Sequence, residues 1–197
     1  MNYRDAYLLA HSIQDIVGPW CIRCEIGGSI RRGKANVKDI EIICQPDYEV
    51  HPVDLFGNTD VHYPIYDYLN KLFQAKTQAR YLKGQSRYRQ YALPQGINLD
   101  LFIVIPPAQW GVVFALRTGP RDFNKWLVTP RRSGGRMPSN AIMKTAGIYM
   151  DRQLISMPHE IDFLNFLGVG FIEPKDRAPQ WGQFQVSNPP PEGCHSP

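Results

Sequence analysis

Two spacings of apolar residues organise this chain. Ala6, Leu9, Ala10, Ile13, Ile16 and Val17 recur at helical spacing, and Gly18-Pro19 stops that helix. A strand is predicted over 20–26, leading into a Gly27-Gly28-Ser29 turn. Ile40 and Ile42 then alternate with Asp39 and Glu41, so Asp39-Ile40-Glu41-Ile42 reads as a strand. Turn formers predict an irregular loop from about 46 to 63. Pro64 can open a helix with Ile65, Leu69, Leu72 and Phe73 on one face. Two strands are predicted at 77–82 and 86–93, turning near Gly84. Ile97, Leu99, Leu101, Ile103 and Ile105 then form one face of a strand that carries Asp100 on the other and ends at Pro106-Pro107. That strand is predicted to close the sheet.

The character changes after Pro107. Residues 108–128 read helical, broken by Thr118-Gly119-Pro120, and a basic, glycine-rich loop follows over 129–138. A short helix, a hairpin around 150–152 and a helix over about 158–167 complete the pattern. The expected class is α+β, with a small mixed sheet and its helices in 1–107 and a smaller α/β unit in 108–177. Residues 178–197 lack periodicity and read as a loose tail.

The acids change this picture. Side chains alternate along a strand, so Asp39 and Glu41 project from one face. Two such carboxylates repel each other unless a cation sits between them. Asp100, in the middle of an apolar strand, is expensive to bury unpaired; beside the other two it would be a third metal ligand. The Gly28-Ser29 turn, with Arg31 and Arg32 after it, offers a resting place for phosphates. Acids for a divalent metal and a phosphate cradle together point to nucleotidyl transfer. The plain alternative is a solvated strand edge, which Asp100 and the turn together outweigh.

Composition adds less. A chain of 197 residues, 43% hydrophobic, suits one compact unit or two small lobes. No stretch has the length of a membrane span, and no secretory signal is expected from the helical start. The net charge is only +4, but its placement matters. Lys76, Arg80, Lys83, Arg87 and Arg89 form one basic tract; Arg117, Arg121, Lys125, Arg131, Arg132, Arg136 and Lys144 form another. Basic tracts beside acids suit a polyanion held near a metal. Cys21 and Cys24 have the spacing of a metal or redox pair, but no second pair follows at zinc-site distance, and strand alternation would point them to opposite faces. Reduced thiols are expected for these, Cys44 and Cys194. His11 and His159 read as structural or capping residues, and a metal role for His51 or His62 is disfavoured.

Gly28-Ser29-Ile30-Arg31-Arg32-Gly33-Lys34 followed by Asp39-Ile40-Glu41 resembles the palm signature of the X-family DNA polymerases, the polymerase beta type. Asn98-Leu99-Asp100-Leu101 resembles that family's third-carboxylate strand. Thr118-Gly119-Pro120-Arg121-Asp122-Phe123-Asn124-Lys125 resembles its nucleotide-holding turn and helix, and Ile172-Glu173-Pro174-Lys175-Asp176-Arg177 its closing thumb motif. The match spans about residues 1 to 177. It implies a nucleotidyltransferase palm (1–107) followed by a thumb (108–177), without lyase or fingers regions. It further implies a DNA-directed DNA polymerase that adds dNMP from dNTP to a primer 3′-hydroxyl, filling short gaps in repair. Asp39, Glu41 and Asp100 would be the catalytic acids and ligands of two Mg²⁺ ions, with Mn²⁺ as a substitute. Gly28, Ser29, Arg32, Thr118, Gly119, Arg121 and Asn124 would bind the nucleotide, with Asn124 donating to the minor-groove edge of the base. Lys83, Arg87, Arg89, Lys125, Arg131, Arg132 and Arg136 would contact primer-template or gapped DNA. A monomeric intracellular enzyme, cytoplasmic and of bacterial, viral or phage origin, is the expectation.

The chain departs from that family at four places. Glu41 stands where an aspartate is usual, which bears on metal preference. Leu116-Arg117 replaces an aromatic pair that lines the sugar pocket, Arg121 stands under the incoming base, and Val128 replaces a template-contacting arginine. Two rival readings follow: a template-independent terminal nucleotidyltransferase, and a non-catalytic DNA-binding scaffold on the same fold. Three intact acids argue against the scaffold.

Overall fold

The computed structural model describes residues 1–54 and 58–177. The predicted tail and Cys194 lie outside them. The chain divides into two compact units, one spanning Met1–Ala108 and the other beginning at Gln109. Both mix helices with antiparallel strands, and the first adds a parallel pair, so the fold is α+β.

In the first unit, α1 (Tyr3–Val17) starts where Asn2 Oδ1 accepts the Asp5 N–H at 2.9 Å. Its buried face is Ala6, Ala10, Ile13 and Val17. A 3₁₀ turn, Gly18–Trp20, takes the place predicted for the start of the strand, and β1 (Cys21–Ile26) follows. A single helical turn, α2 (Gly28–Arg31), then leads to β2 (Asp39–Pro46). The region read as an irregular loop contains an exposed hairpin, β3 (Glu49–Pro52) and β4 (Thr59–His62). Neither strand buries a face, so no alternation marked them.

The helix at Pro64 forms as α3 (Pro64–Tyr68), passes through a π-helical segment (Leu69–Phe73) and ends as α4 (Gln74–Thr77). The wider π turn carries Phe73 into the core and leaves Leu72, predicted on the apolar face, 50% exposed. β5 (Arg80–Gln85) and β6 (Tyr88–Ala92) turn at Ser86-Arg87 rather than at Gly84. Gly84 lies inside β5 at φ +123°, where a Cβ would meet the Tyr88 carbonyl oxygen at 2.0 Å. β7 (Asn98–Ile103) does not close the sheet; it is its central strand. The order is β1-β2-β7-β6-β5, with β2 and β7 parallel and the other pairs antiparallel. One face of β2 and β7 places Ile40, Ile42, Leu99 and Leu101, all fully buried, in a core shared with α1 and α3. That burial fixes the register, because a one-residue slip would put the acids in the core instead.

The second unit has α5 (Trp110–Thr118) and α6 (Arg121–Val128), as the spacing predicts. The short helix expected after the basic loop is instead β8 (Ala141–Lys144), paired with β9 (Gly147–Met150) and then β10 (Gln153–Ile155). Both hairpins turn on two residues of positive φ, Thr145-Ala146 and Asp151-Arg152. The first pair lacks the usual Asn or Gly, which hid that turn from the sequence. α7 (Glu160–Phe166) has His159 as its N-cap residue, whose N–H donates to Asp162. Phe123, Leu127, Ile148, Phe163 and Leu164 form the core. Among the described residues no helix is long and apolar enough to cross a membrane.

Candidate functional site

The exposed side of β2 and β7 carries the three acids. Asp39 and Glu41 are two residues apart on β2, and the parallel register sets Glu41 beside Asp100 and Asp39 beside Asn98. All three carboxylates therefore share a face, on strands about 4.8 Å apart. β6 supplies what the sequence reading missed. The Tyr88 hydroxyl and the Gln90 Nε2 both donate to Asp100 Oδ1, each at 2.8 Å. Two donors fix its rotamer and leave Oδ2 outside these bonds. The only sequence signal was the alternation Tyr88-x-Gln90 in a strand that could pair with the Asp100 strand.

Asp39 is less favourably placed. Burial first, then the Asp100 charge, raise its carboxyl above the ordinary range, against the pull of the Arg32 guanidinium. Arg32 is thus close enough to act on Asp39. The Gly-Ser turn lies against Glu41: the Gly27 N–H donates to the Glu41 carbonyl at 2.9 Å, and Gly28 has φ +59°. A Cβ on Gly28 would sit 1.8 Å from Glu41 Oε2. The glycine is required twice, for its backbone and for the space the carboxylate fills. Gly28→Ala is expected to cost about 1–2 kcal/mol from φ alone and to push the Glu41 carboxylate aside. Chemical denaturation checks the first effect. A variant as stable as wild type would show that the turn relaxes freely.

The donor set fits a hard divalent cation. It consists of carboxylate oxygens on one face, and the neighbouring Ser29 Oγ is buried without a hydrogen-bond partner. Among the described residues, no three His, Cys, Asp or Glu side chains converge into a ready metal-binding group. Like charges on one face repel until a cation neutralises them.

The basic residues divide by role. Lys83 is exposed. Arg87 instead tethers backbone, donating from its two Nη atoms to the carbonyls of Ile105 and Pro106. Arg89 lies on the sheet face opposite the acids, since Tyr88 and Gln90 flank it in the strand and reach Asp100. In the second unit, Arg121, Lys125, Arg131 and Arg132 are exposed, and Arg136 is stacked 4.8 Å from the Trp126 ring centroid. Thr118 is fully buried, and the Gly119 N–H donates to Ala115 at the end of α5. Asn124, read as a donor to a base edge, spends both amide hydrogens on this corner: Nδ2 donates to the carbonyls of Leu116 (2.5 Å) and Gly119 (2.8 Å). Its Oδ1 is buried without a partner.

The cysteine pair also differs from its reading. Cys24 faces Cys44 across β1 and β2, and a register shift between Cys21 and Arg23 turns Cys21 to the same side. Its bond with Cys21 and its burial push the Cys24 thiol well up, so it is a packed thiol rather than a reactive one. The three described cysteines are free.

No family model matches this chain, and no curated protein matches it significantly.

Proposed function

We propose that the chain is a nucleotidyltransferase of the X-family polymerase type, a palm followed by a thumb, which adds dNMP from dNTP to a DNA primer 3′-hydroxyl. One observation carries the reading: Glu41 and Asp100 are in register on adjacent parallel strands, with Asp39 on the same face and the Gly28-Ser29 turn against Glu41. Asp39 and Glu41 would hold both of two Mg²⁺ ions, and Asp100 one. When bound, such ions stabilise the attacking and leaving oxygens of an in-line displacement. Ser29 Oγ and the Arg32 guanidinium would donate to the outer phosphates of the nucleotide. Asp100, clamped through Oδ1, would keep Oδ2 toward the primer hydroxyl. Thr118 and Gly119 would form the nucleotide turn that Asn124 holds in shape. Positioning and charge neutralisation carry this class of reaction, so little covalent work falls to the protein.

Release of pyrophosphate from dNTP with gapped duplex and Mg²⁺ tests the reaction class. Release that requires both DNA and metal is expected. Tight DNA binding without release would favour the scaffold.

The raised Asp39 carboxyl leads to a separate prediction. Its folded-state pKa is raised, so the native state binds the proton more tightly than the unfolded chain. Its contribution is fully present below the ordinary carboxylate value of about 3.9 and is lost as pH rises through the folded value. Asp39→Asn, neutral throughout, is therefore expected to raise Tm at pH 7. The gain is on the order of 2 °C, kept small by solvent access to the carboxyl, and it vanishes near pH 3. Transfer is expected to be lost in the same variant. A Tm at pH 7 below wild type would contradict this balance.

A further inference from the structure

The sheet face that turns away from the acids carries a second convergence of polar groups. Arg89 and Tyr91 project there and line a cavity of about 310 Å³ together with Asn70, Gln74, Tyr81 and Gln85. None of the lining residues is acidic. The hydrogen bonds around the cavity give it one polarity. Arg89 Nη1 donates to Asn70 Oδ1 at 2.7 Å, and the Tyr81 N–H donates to Gln74 Oε1 at 3.2 Å. Each bond occupies an amide oxygen, so the NH₂ end of each amide is the group left to bind.

Tyr91 adds an independent observation. The side chain is fully buried, and its hydroxyl lies beside the Arg89 guanidinium without a well-formed hydrogen bond, which is costly to leave unmet. Burial raises its pKa against the pull of the Arg89 guanidinium, so the hydroxyl stays protonated. The Arg89 guanidinium is itself fixed, stacked 5.4 Å from the Tyr66 ring centroid. Four donors therefore line one cavity, while the Asn70 and Gln74 amide oxygens are already engaged. Exposed Lys76, Arg80 and Lys83 on the adjoining elements add positive potential.

We propose that this cavity is an oxyanion site that takes a phosphate group, separate from the carboxylate face and independent of the function read there. Several donors around one point suit a tetrahedral oxyanion, and a held guanidinium can give it two parallel hydrogen bonds. The phosphate comes either from a small molecule or from a nucleic-acid strand.

Two variants test this in the full chain. Tyr91→Phe removes only the buried hydroxyl and keeps the ring in the core. Gln74→Glu replaces an outward donor with a negative charge on an exposed residue. NMR titration of the arginine side-chain signals would use inorganic phosphate, with chloride at matched ionic strength as the control. A parallel titration would use a short single-stranded oligonucleotide. The expected result is a phosphate-specific shift of the Arg89 signal, weakened about tenfold or more by Gln74→Glu and severalfold by Tyr91→Phe. A stronger effect of the variants on inorganic phosphate assigns the small-molecule source; a stronger effect on the oligonucleotide assigns the strand. No Arg89 shift with either probe, or equal affinity in wild type and both variants, would overturn the proposal.

Discussion

Asp100→Asn is expected to cut nucleotidyl transfer by at least about a thousandfold, while DNA affinity stays within about twofold of wild type. The substitution isolates charge from structure. Asparagine keeps an Oδ1 that can accept from Tyr88 and Gln90, the two donors that hold Asp100. The strand alternation that buries Leu99 and Leu101 is untouched, so Tm is expected to hold. What disappears is the negative charge that would bind a metal and sit near the primer hydroxyl. Asp100→Ala should act alike on transfer and also leave the Tyr88 hydroxyl without this acceptor. Single-turnover extension beside a DNA-binding titration gives the two numbers. Transfer at near wild-type rate in the asparagine variant would remove Asp100 from the site.

The largest stability effect is expected at the other end of the chain. Arg177 has a fully buried side chain whose Nη1 donates to Glu160 Oε1 at 2.7 Å and whose Nε donates to the Ile172 carbonyl at 3.0 Å. Its guanidinium lies 5.9 Å from the Phe123 ring centroid, inside the second unit's core. Removing one member of such a pair strands the other charge away from water. Glu160→Ala is therefore expected to cost about 3–5 kcal/mol, a fall in Tm on the order of 15 °C or more for a unit of this size. Replacing both residues, Glu160→Leu with Arg177→Met, should restore most of the loss, because two well-packed apolar side chains avoid the desolvation cost. Thermal and urea unfolding of the three variants checks this. A loss below about 1 kcal/mol in Glu160→Ala would mean that Arg177 finds another partner.

The acids and their strands were legible because burial writes a period of two into the sequence. Ile40 and Ile42, like Leu99 and Leu101, are core residues, and their polar alternates cannot be. The register that pairs Glu41 with Asp100 was not legible, since it depends on which strands are neighbours and in which direction they run. Tyr88 and Gln90 were hidden for the same reason: their role exists only across a strand pair. Local irregularities account for the remaining differences. The π segment at Leu69–Phe73 breaks a 3.6-residue count, so Phe73 stays in the core as expected while Leu72 is left exposed. The shift in β1 gathers Cys21 and Cys24 on one side against strict alternation. β8 carries exposed Ile142 and a turn without its usual residues, so neither pattern nor turn chemistry announced it. The arginines show where charge counting stops. Arg87 caps backbone carbonyls and Arg89 lines the far face of the sheet, though both belong to one basic tract.

The central claim is that Asp39, Glu41 and Asp100 form a templated nucleotidyl-transfer site. Its most direct test is extension of a labelled primer on a one-nucleotide-gapped duplex and as a free strand, with each dNTP supplied separately and Mg²⁺ or Mn²⁺ present. The account predicts addition of the complementary nucleotide alone, in the gap and not on the free strand. No extension with either metal, from protein that binds the gapped duplex, would contradict it.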